Sequence, residues 1–348
     1  MARTPGRLSS SATSGHILEL IRSGTATSRS EIGRVTGLSR PSVSLRVTEL
    51  LDSGLVTEGP GAVSSGGRPP ILLEFNAGSG LILTSALGMV RSQAAVCDLN
   101  GDILVRTPGS PDMERGPDAT LPWLLDTWSE QLVSLGRDPG DVRGVGIGLP
   151  GTVEFHAGRA DDRPFLGKWA GIPLAPLVAE RFPVPVMVDN DVNVMALGEH
   201  IAGGHGHPDD MVFVKVSTGI GAGLLSGGRL LRGSLGAAGE IGHIPVRDGG
   251  GLPCRCGNTD CLEAVAGGRR LLAAAVEQGR RVTTLQELVA LAVEGDPVAV
   301  TLIRDAGRRL GQALAGAVNL LNPEVIVLGG DLSQAYDHLV AGVREVVF

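Results

Sequence analysis

The sequence predicts an α/β chain that opens with a small winged helix–turn–helix, on three observations. From Leu81 onward, short apolar runs bounded by glycine alternate with helix-period stretches. Glycine is abundant (52 of 348 residues) while aromatic residues make up only 3%, which suits strands and helices packed in layers. Within the first 75 residues, two serine helix starts flank a tight Thr36-Gly37-Leu38-Ser39 turn. A chain of this length can hold two or three domains and a large core.

The formal charge of −7 argues against nucleic-acid binding by the whole surface, but not by a local module. Residues 1–75 carry eight arginines and six acids, about +2, which leaves about −9 for the rest. Only Lys168 and Lys215 are lysines, which reads as a coding bias toward arginine. No signal peptide or apolar span is visible, and the cysteines are not arranged as a secreted framework. A cytoplasmic protein with no membrane partner is expected.

In chain order, residues 1–13 are rich in Ser, Arg and Gly and predict no fixed structure. Residues 16–21 open an amphipathic helix. Ser28 is placed as an N-cap with Glu31 at capping-box spacing, and Ile32 and Val35 supply an apolar face. Ser39 caps the next helix and Pro41 sits near its first turn. Val43, Val47, Leu50 and Leu51 form its buried stripe, and Gly54 ends it. The outward face then reads Arg40, Ser42, Ser44 and Arg46. Short side chains let a helix N-terminus approach a groove, and arginine can fork onto guanine or clamp phosphate. Residues 55–56 and 71–75 read as arms of a β-wing with 64–70 near its tip, where Arg68 is placed to enter a minor groove. The competing reading is a generic three-helix bundle with a solvated charged face. Residues 76–80 are the expected junction, giving domains 1–75 and 76–348.

Residues 81–87 and 94–99, with an Asn100-Gly101 turn, read as the next strands. Residues 121–135 read as a helix with Trp123 and Trp128 in the core. Residues 142–147 form a strand ending in Gly148-Leu149-Pro150-Gly151-Thr152-Val153. The Gly-x-Gly-x-x-Gly match at 146–151 is weak, because Pro150 spoils the loop and no ribose-binding acid is placed. A helix at 174–181 precedes a strand at 184–188, which ends in Asp189-Asn190-Asp191-Val192-Asn193 before a helix at 195–201. Polar residues at the C-terminal end of a strand are where an α/β sheet builds a site. A capping Asn-Asp cluster and a carboxylate metal site are the competing readings. Residues 211–216 are a strand feeding Thr218-Gly219-Ile220-Gly221-Ala222-Gly223, read as a loop whose bare backbone can approach a phosphate. Helices are expected at 271–279, 285–294 and 297–321, and a buried strand at 325–328 before Gly329-Gly330.

The sharpest signal is Gly239-Glu240-Ile241-Gly242-His243, followed by Cys254, Cys256, Cys261 and Glu263. Three of the four cysteines fall within eight residues as Cys-x-Cys-x4-Cys, and His243 lies eleven residues upstream of the first. Together they match the Cys3His set of structural zinc. The competing readings are a disulfide, which would leave one thiol unpaired, or unrelated thiols. Cys97 sits in an apolar strand pattern and reads as core.

Gly-Glu-Ile-Gly-His followed by Cys-x-Cys-Gly-x3-Cys-Leu-Glu resembles the ROK family (repressors, open reading frames and sugar kinases). The resemblance covers about Leu81 to the C-terminus. The Gly-Leu-Ser-Arg-Pro-Ser-Val-Ser run at 37–44 resembles the recognition helix of the family's repressors. It implies a bilobal, actin-like (ribonuclease H-like) sugar-kinase fold. It implies a sugar site of Gly151, Thr152, Asn190, Asp191, Glu240, His243 and Glu263, with Asp191 in the catalytic base position. It also implies nucleotide loops at Thr218, Gly219, Gly221, Gly223, Gly329 and Gly330. His243 would hold zinc through one nitrogen and face the sugar with the other. Active members carry an Asp-x-Gly-Gly-Thr-like turn for nucleotide phosphate and metal. This chain has Ala86-Leu87-Gly88-Met89-Val90, with Ala86 and Val90 in place of the aspartate and threonine. An apolar pair cannot orient Mg2+. The expectation is therefore a sugar-responsive repressor and not an enzyme. It would bind operator DNA as a homodimer or homotetramer, take a sugar or sugar phosphate, and hold structural zinc. The alternative is a bifunctional sugar kinase using ATP and Mg2+. Family members usually continue beyond the point matching Phe348, so a chain cut short is expected.

Overall fold

Local capping chemistry sets the first three helices, α1 (Ser14–Arg22), α2 (Arg29–Thr36) and α3 (Arg40–Asp52). Thr13, Ser28 and Ser39 accept from the backbone N–H of His16, Glu31 and Ser42. Glu31 reaches back to the N–H groups of Thr27 and Ser28, both at 3.0 Å, which completes the expected capping box. Strands β1 (Val56–Glu58) and β2 (Leu73–Phe75) pair antiparallel, with Val56 opposite Phe75. Ile17, Leu20, Ile32, Val43, Val47, Leu50, Val56 and Leu73 share one buried cluster. Each such side chain contributes about 1.5–3 kcal/mol of burial. Leu51 is only half-buried against this cluster. Val35, expected on the apolar face, is 40% exposed. Thr36 takes the inward place instead, its hydroxyl bonded back to the Ile32 carbonyl at 2.6 Å.

The computed structural model describes residues 13–59, 71–161, 167–204 and 206–347. Nearly all of the expected unstructured N-terminus, and the expected wing tip with Arg68, lie outside the described residues. Contacts group the chain into two units. One takes Met1–Leu83, Ala95–Arg106 and Gln131–Arg143; the other takes Thr84–Ala94, Thr107–Glu130 and Gly144–Phe348. The expected junction at 76–80 sits within the first unit, where Leu99 N–H donates to Ala77 O and Arg137 to Gly78 O.

A five-stranded sheet follows β1 and β2 in sequence. Its strands are β3 (Leu81–Ala86), β4 (Ser92–Asp98), β5 (Ile103–Gly109), β6 (Val142–Leu149) and, after the short β7 (Val153–Glu154) and β8 (Arg159–Ala160), β9 (Val186–Asn190). Their order is β5-β4-β3-β6-β9. β6 and β9 run parallel, which sets Leu149 opposite Asn190. Helix α4 (Pro117–Ser134) buries Trp128, whose indole N–H donates to Thr84 O at 3.1 Å. Trp123 on the same helix is half-buried. Helix α5 (Leu174–Ala179) precedes β9, and α6 (Asp191–Ala202) follows it directly, earlier than its apolar residues suggest.

A four-stranded sheet holds β10 (Met211–Val216), β11 (Ile220–Ser226), β12 (Arg229–Leu231) and β13 (Val325–Gly329), in the order β12-β11-β10-β13. Helices α7 (Leu262–Ala266), α8 (Gly268–Glu277), α9 (Leu285–Val293), α10 (Pro297–Leu321) and α11 (Tyr336–Val347) complete this unit. Val212, Val214, Leu262, Leu288, Ile303, Leu310 and Leu339 lie in its core. Asp296 caps α10 and Asn322 ends it in a left-handed turn at φ 44°. The strand expected to be buried, β13, is half-buried along its whole length, because it is the edge of the sheet among the described residues. No helix among the described residues is long and apolar enough to cross a membrane.

Candidate functional site

The parallel pairing of β6 and β9 brings two loops to the same sheet edge: the Pro150-Gly151-Thr152 turn and the start of α6. Gly151 is left-handed at φ 83°, a conformation that favours glycine. Its carbonyl accepts from Asn190 Nδ2 at 2.7 Å. Asn190 is the N-cap of α6, its Oδ1 accepting from Val192 N–H at 2.8 Å and Asn193 N–H at 3.1 Å. Its amide is thus already engaged where it faces the cavity.

Asp189 and Asp191 are both buried, and neither is paired with the other. Asp189 accepts from Asn193 Nδ2 at 2.9 Å and from Arg232 at 2.8 Å, and Arg232 lies over the Phe155 ring. Asp191, the expected base, accepts from Lys215 Nζ at 2.5 Å. Both carboxylates therefore hold cations from the protein, which counts against a metal between them. Lys215 went unrecognised as a site residue because the sequence offered it only as one of two lysines.

Asn190, Asp191 and Lys215 line a cavity of about 770 Å³ within the larger unit, together with Gly151, Thr152, Glu240, His243 and Glu263. That size suits a small ligand. Thr152 Oγ1 donates to Glu240 Oε1 at 2.8 Å, and Glu240 Oε2 stands 3.7 Å from His243 Nε2. Glu263, in the first turn of α7, accepts from Ile220 N–H at 3.1 Å. A hydroxyl, a carboxylate and an imidazole in series offer alternating donors and acceptors, the pattern that a polyhydroxy ligand can bridge.

The other ring nitrogen of His243 faces a sulfur cluster. Nδ1 is 3.5 Å from Cys254 Sγ, and Cys256 and Cys261 sulfurs are 3.6 Å apart. The four donor atoms all lie within 4.8 Å of one another, so the group can hold a metal ion. Burial pushes the Cys261 thiol up to about 12 and raises that of Cys254. Burial also opposes the Cys256 thiolate, but the Asn258 N–H and the neighbouring thiols outweigh it and hold Cys256 below its usual value. Three crowded thiols cannot all ionise without a cation among them.

The glycine run after β10 differs from its sequence reading. Only Ser217–Gly219 turns; Gly221 and Gly223 lie in strand β11. A Cβ on Gly223 would stand 2.5 Å from Ala196 Cβ, so this glycine lets α6 pack closely on the sheet. Thr218, Gly219, Gly221 and Gly330 line the cavity with Ala86 and Val90. Gly329 lies in β13, facing the Phe213 ring. Sequence reasoning also missed Asp331, on the cavity wall, which accepts from Ser217 Oγ, from the Arg91 guanidinium and from Gln286 Nε2 at 2.9 Å. Its pairing with Arg91 spans 240 residues and had no local signal.

On α3, Arg40 and Ser44 are exposed, while Ser42 and Arg46 are half-buried and flank the core side. Leu45 on the same helix is 64% exposed, and an apolar pattern alone assigns it no role.

A family model described as ROK family matches residues 86–347. The xylose repressor of Caldicellulosiruptor bescii is 30% identical over 344 residues, covering 95% of this chain and 86% of that protein. The crystal structure of a ROK family transcriptional regulator, a homologue of the E. coli MLC protein, matches with TM-score 0.81 and 30% identity, over 96% of this chain and 86% of that one. A ROK family glucokinase from Streptomyces griseus, in complex with glucose and AMPPNP, matches with TM-score 0.62 and 30% identity, over 77% of this chain and 88% of that one. The fold is accordingly the mixed α/β, actin-like sugar-kinase fold.

Proposed function

The chain belongs to the ROK family, and on that premise we propose that it is a sugar-responsive transcriptional repressor and not an enzyme. Residues 1–75 form the winged helix–turn–helix that binds operator DNA, with α3 as its reading helix and Arg68 in the wing. Residues 76–348 form the ligand domain, and a homodimer or homotetramer presents two reading helices to two half-sites. The sugar, free or phosphorylated, binds at Gly151, Thr152, Asn190, Asp191, Glu240, His243 and Glu263. It acts by favouring one DNA-binding state over another, since occupancy without preference shifts nothing.

The observation that carries this reading is the polar series in the cavity in which Thr152 donates to Glu240 and Glu240 stands 3.7 Å from His243, while several donors near the expected nucleotide loops are already engaged. Arg91, Ser217 and Gln286 already bond Asp331, and Ala86 and Val90 offer nothing to a phosphate or its metal. The nucleotide loops are therefore read as unused. Similarity to a xylose repressor makes pentoses the first ligands to try.

We assign zinc to His243, Cys254, Cys256 and Cys261. Tetrahedral zinc bound to sulfur at about 2.3 Å sets its ligand sulfurs about 3.8 Å apart; the Cys256 and Cys261 sulfurs stand at 3.6 Å. When bound, the metal fixes the His243 ring, leaving Nε2 for Glu240 and the ligand.

A bifunctional kinase is the second reading. It is favoured by Asp191 at the cavity wall and by the similarity to a glucokinase; the Lys215 contact on Asp191 counts against it. A thermal-shift panel of pentoses, hexoses, amino sugars and their phosphates, each with and without Mg-ATP, separates the two. The repressor reading expects a shift with one sugar and none added by Mg-ATP. A further shift from Mg-ATP on top of the sugar would favour the kinase.

A further inference from the structure

Leu45 is the most exposed large apolar side chain of α1, α2 and α3, and it stands on the outward face of α3. At about 100° per residue, it lies roughly half a turn round the helix from Val43 and Val47, which are buried at 1% and 0%. Its exposed neighbours on that face are Pro41, Ser44, Thr48 and Glu49; the Glu49 carboxylate is engaged by α1, accepting from Ser14 Oγ at 2.8 Å, and the others are shorter or more compact. The core beneath is already closed by Ile32, Val43, Val47 and Leu50. Leu45 therefore has no packing role within the unit.

Resting on the reading of α3 as the DNA-reading helix, we propose that Leu45 is a specificity-determining residue that contacts the 5-methyl group of a thymine in the operator's major groove. In that groove the thymine methyl is the apolar feature among hydrogen-bonding base edges, and an apolar side chain is what recognises it. The flanks of the same helix carry Arg40 and Arg46, and α2 carries an exposed Arg34. An apolar tip bordered by guanidinium groups fits a duplex, with methyl groups on its floor and phosphates along its rims, better than an apolar protein surface. The helix then reads by two means, polar contacts from its serines and arginines and one apolar contact from Leu45.

The test uses the full chain. Duplexes are selected from a randomised library with the wild type, with Leu45→Ala and with Leu45→Ser; melting curves check that all three are folded, as an exposed position allows. Each thymine of the selected half-site is then replaced by deoxyuridine, which removes only the methyl. The wild type should lose about fourfold in affinity at one such position, the weight of one buried methyl-sized group. Leu45→Ala should lose preference for thymine there and be indifferent to the replacement. Specific binding with no methyl effect, or with the same effect in wild type and variants, overturns the role of Leu45 and leaves the repressor reading intact. So does a Leu45→Ala change that alters only self-association. Failure of the wild type to select any duplex overturns both.

Discussion

Lys215 Nζ stands 2.5 Å from Asp191 Oδ2, so the carboxylate at the first position of α6 is bonded to an ammonium supplied by β10. The Asp191 and Lys215 side chains are 11% and 26% exposed, and the pair sits at the wall of the cavity. Removing one partner leaves the other's charge partly buried. Lys215→Met should destabilise the protein by about 1–3 kcal/mol, the range for a stranded buried polar group. The Asp191→Asn, Lys215→Met double variant should lose less than the sum of the singles. Urea unfolding of the four proteins checks this, and additive losses would contradict the pair.

Glu240 lies between Thr152 and His243, accepting from the Thr152 hydroxyl and standing 3.7 Å from His243 Nε2. Glu240→Gln keeps the shape and removes the charge. It should weaken the sugar response at least about tenfold, the scale of a charge-assisted hydrogen bond, with sugar-free DNA affinity unchanged. Anisotropy titrations on a labelled operator measure both quantities. Loss of both would make Glu240 structural.

The metal reading predicts about one zinc per chain in the wild type and markedly less in Cys256→Ser, measured by elemental analysis. Because His243 Nδ1 faces the cysteines while Nε2 faces Glu240, chelating the metal should also weaken sugar binding. Full zinc content in Cys256→Ser would remove Cys256 from the ligand set.

The capping box of α2 predicts a pH dependence. The Thr27 N–H first, then the Ser28 hydroxyl and N–H, hold the Glu31 carboxyl below its usual value. A depressed folded pKa adds stability that is fully present above the unfolded value of about 4.3 and is lost as pH falls through the folded one. The stability difference between wild type and Glu31→Gln should be constant above about pH 5.5 and shrink below about pH 4. Chemical unfolding at stepped pH measures it; a difference that persists to the lowest pH would contradict the assignment.

Features built from neighbours in sequence were legible. The Ser28–Glu31 box and the Cys254, Cys256, Cys261 cluster each follow from spacing, because one loop or turn satisfies them. Features set by tertiary approach were not. Gly221 and Gly223 suggested a phosphate loop, but Gly223 is bare because α6 lies against it. The second role of Asn190, whose amide caps α6 and holds the Gly151 carbonyl while the residue lines the cavity, depends on the β6–β9 pairing. Leu45 fits an apolar list equally well inside or outside; only the placement of Val43 and Val47 shows that it faces out.

The central claim is that a sugar governs DNA binding by this chain without being phosphorylated. The most direct measurement is operator affinity of the full chain, titrated with the sugar identified by thermal shift, with Mg-ATP present and ADP release followed in the same samples. The account predicts at least about a fivefold change in operator affinity with sugar, the lower end of typical coupling between sites, and no sugar-dependent ADP. Unchanged affinity at saturating sugar, or ADP release that depends on the sugar and on Asp191, would contradict it.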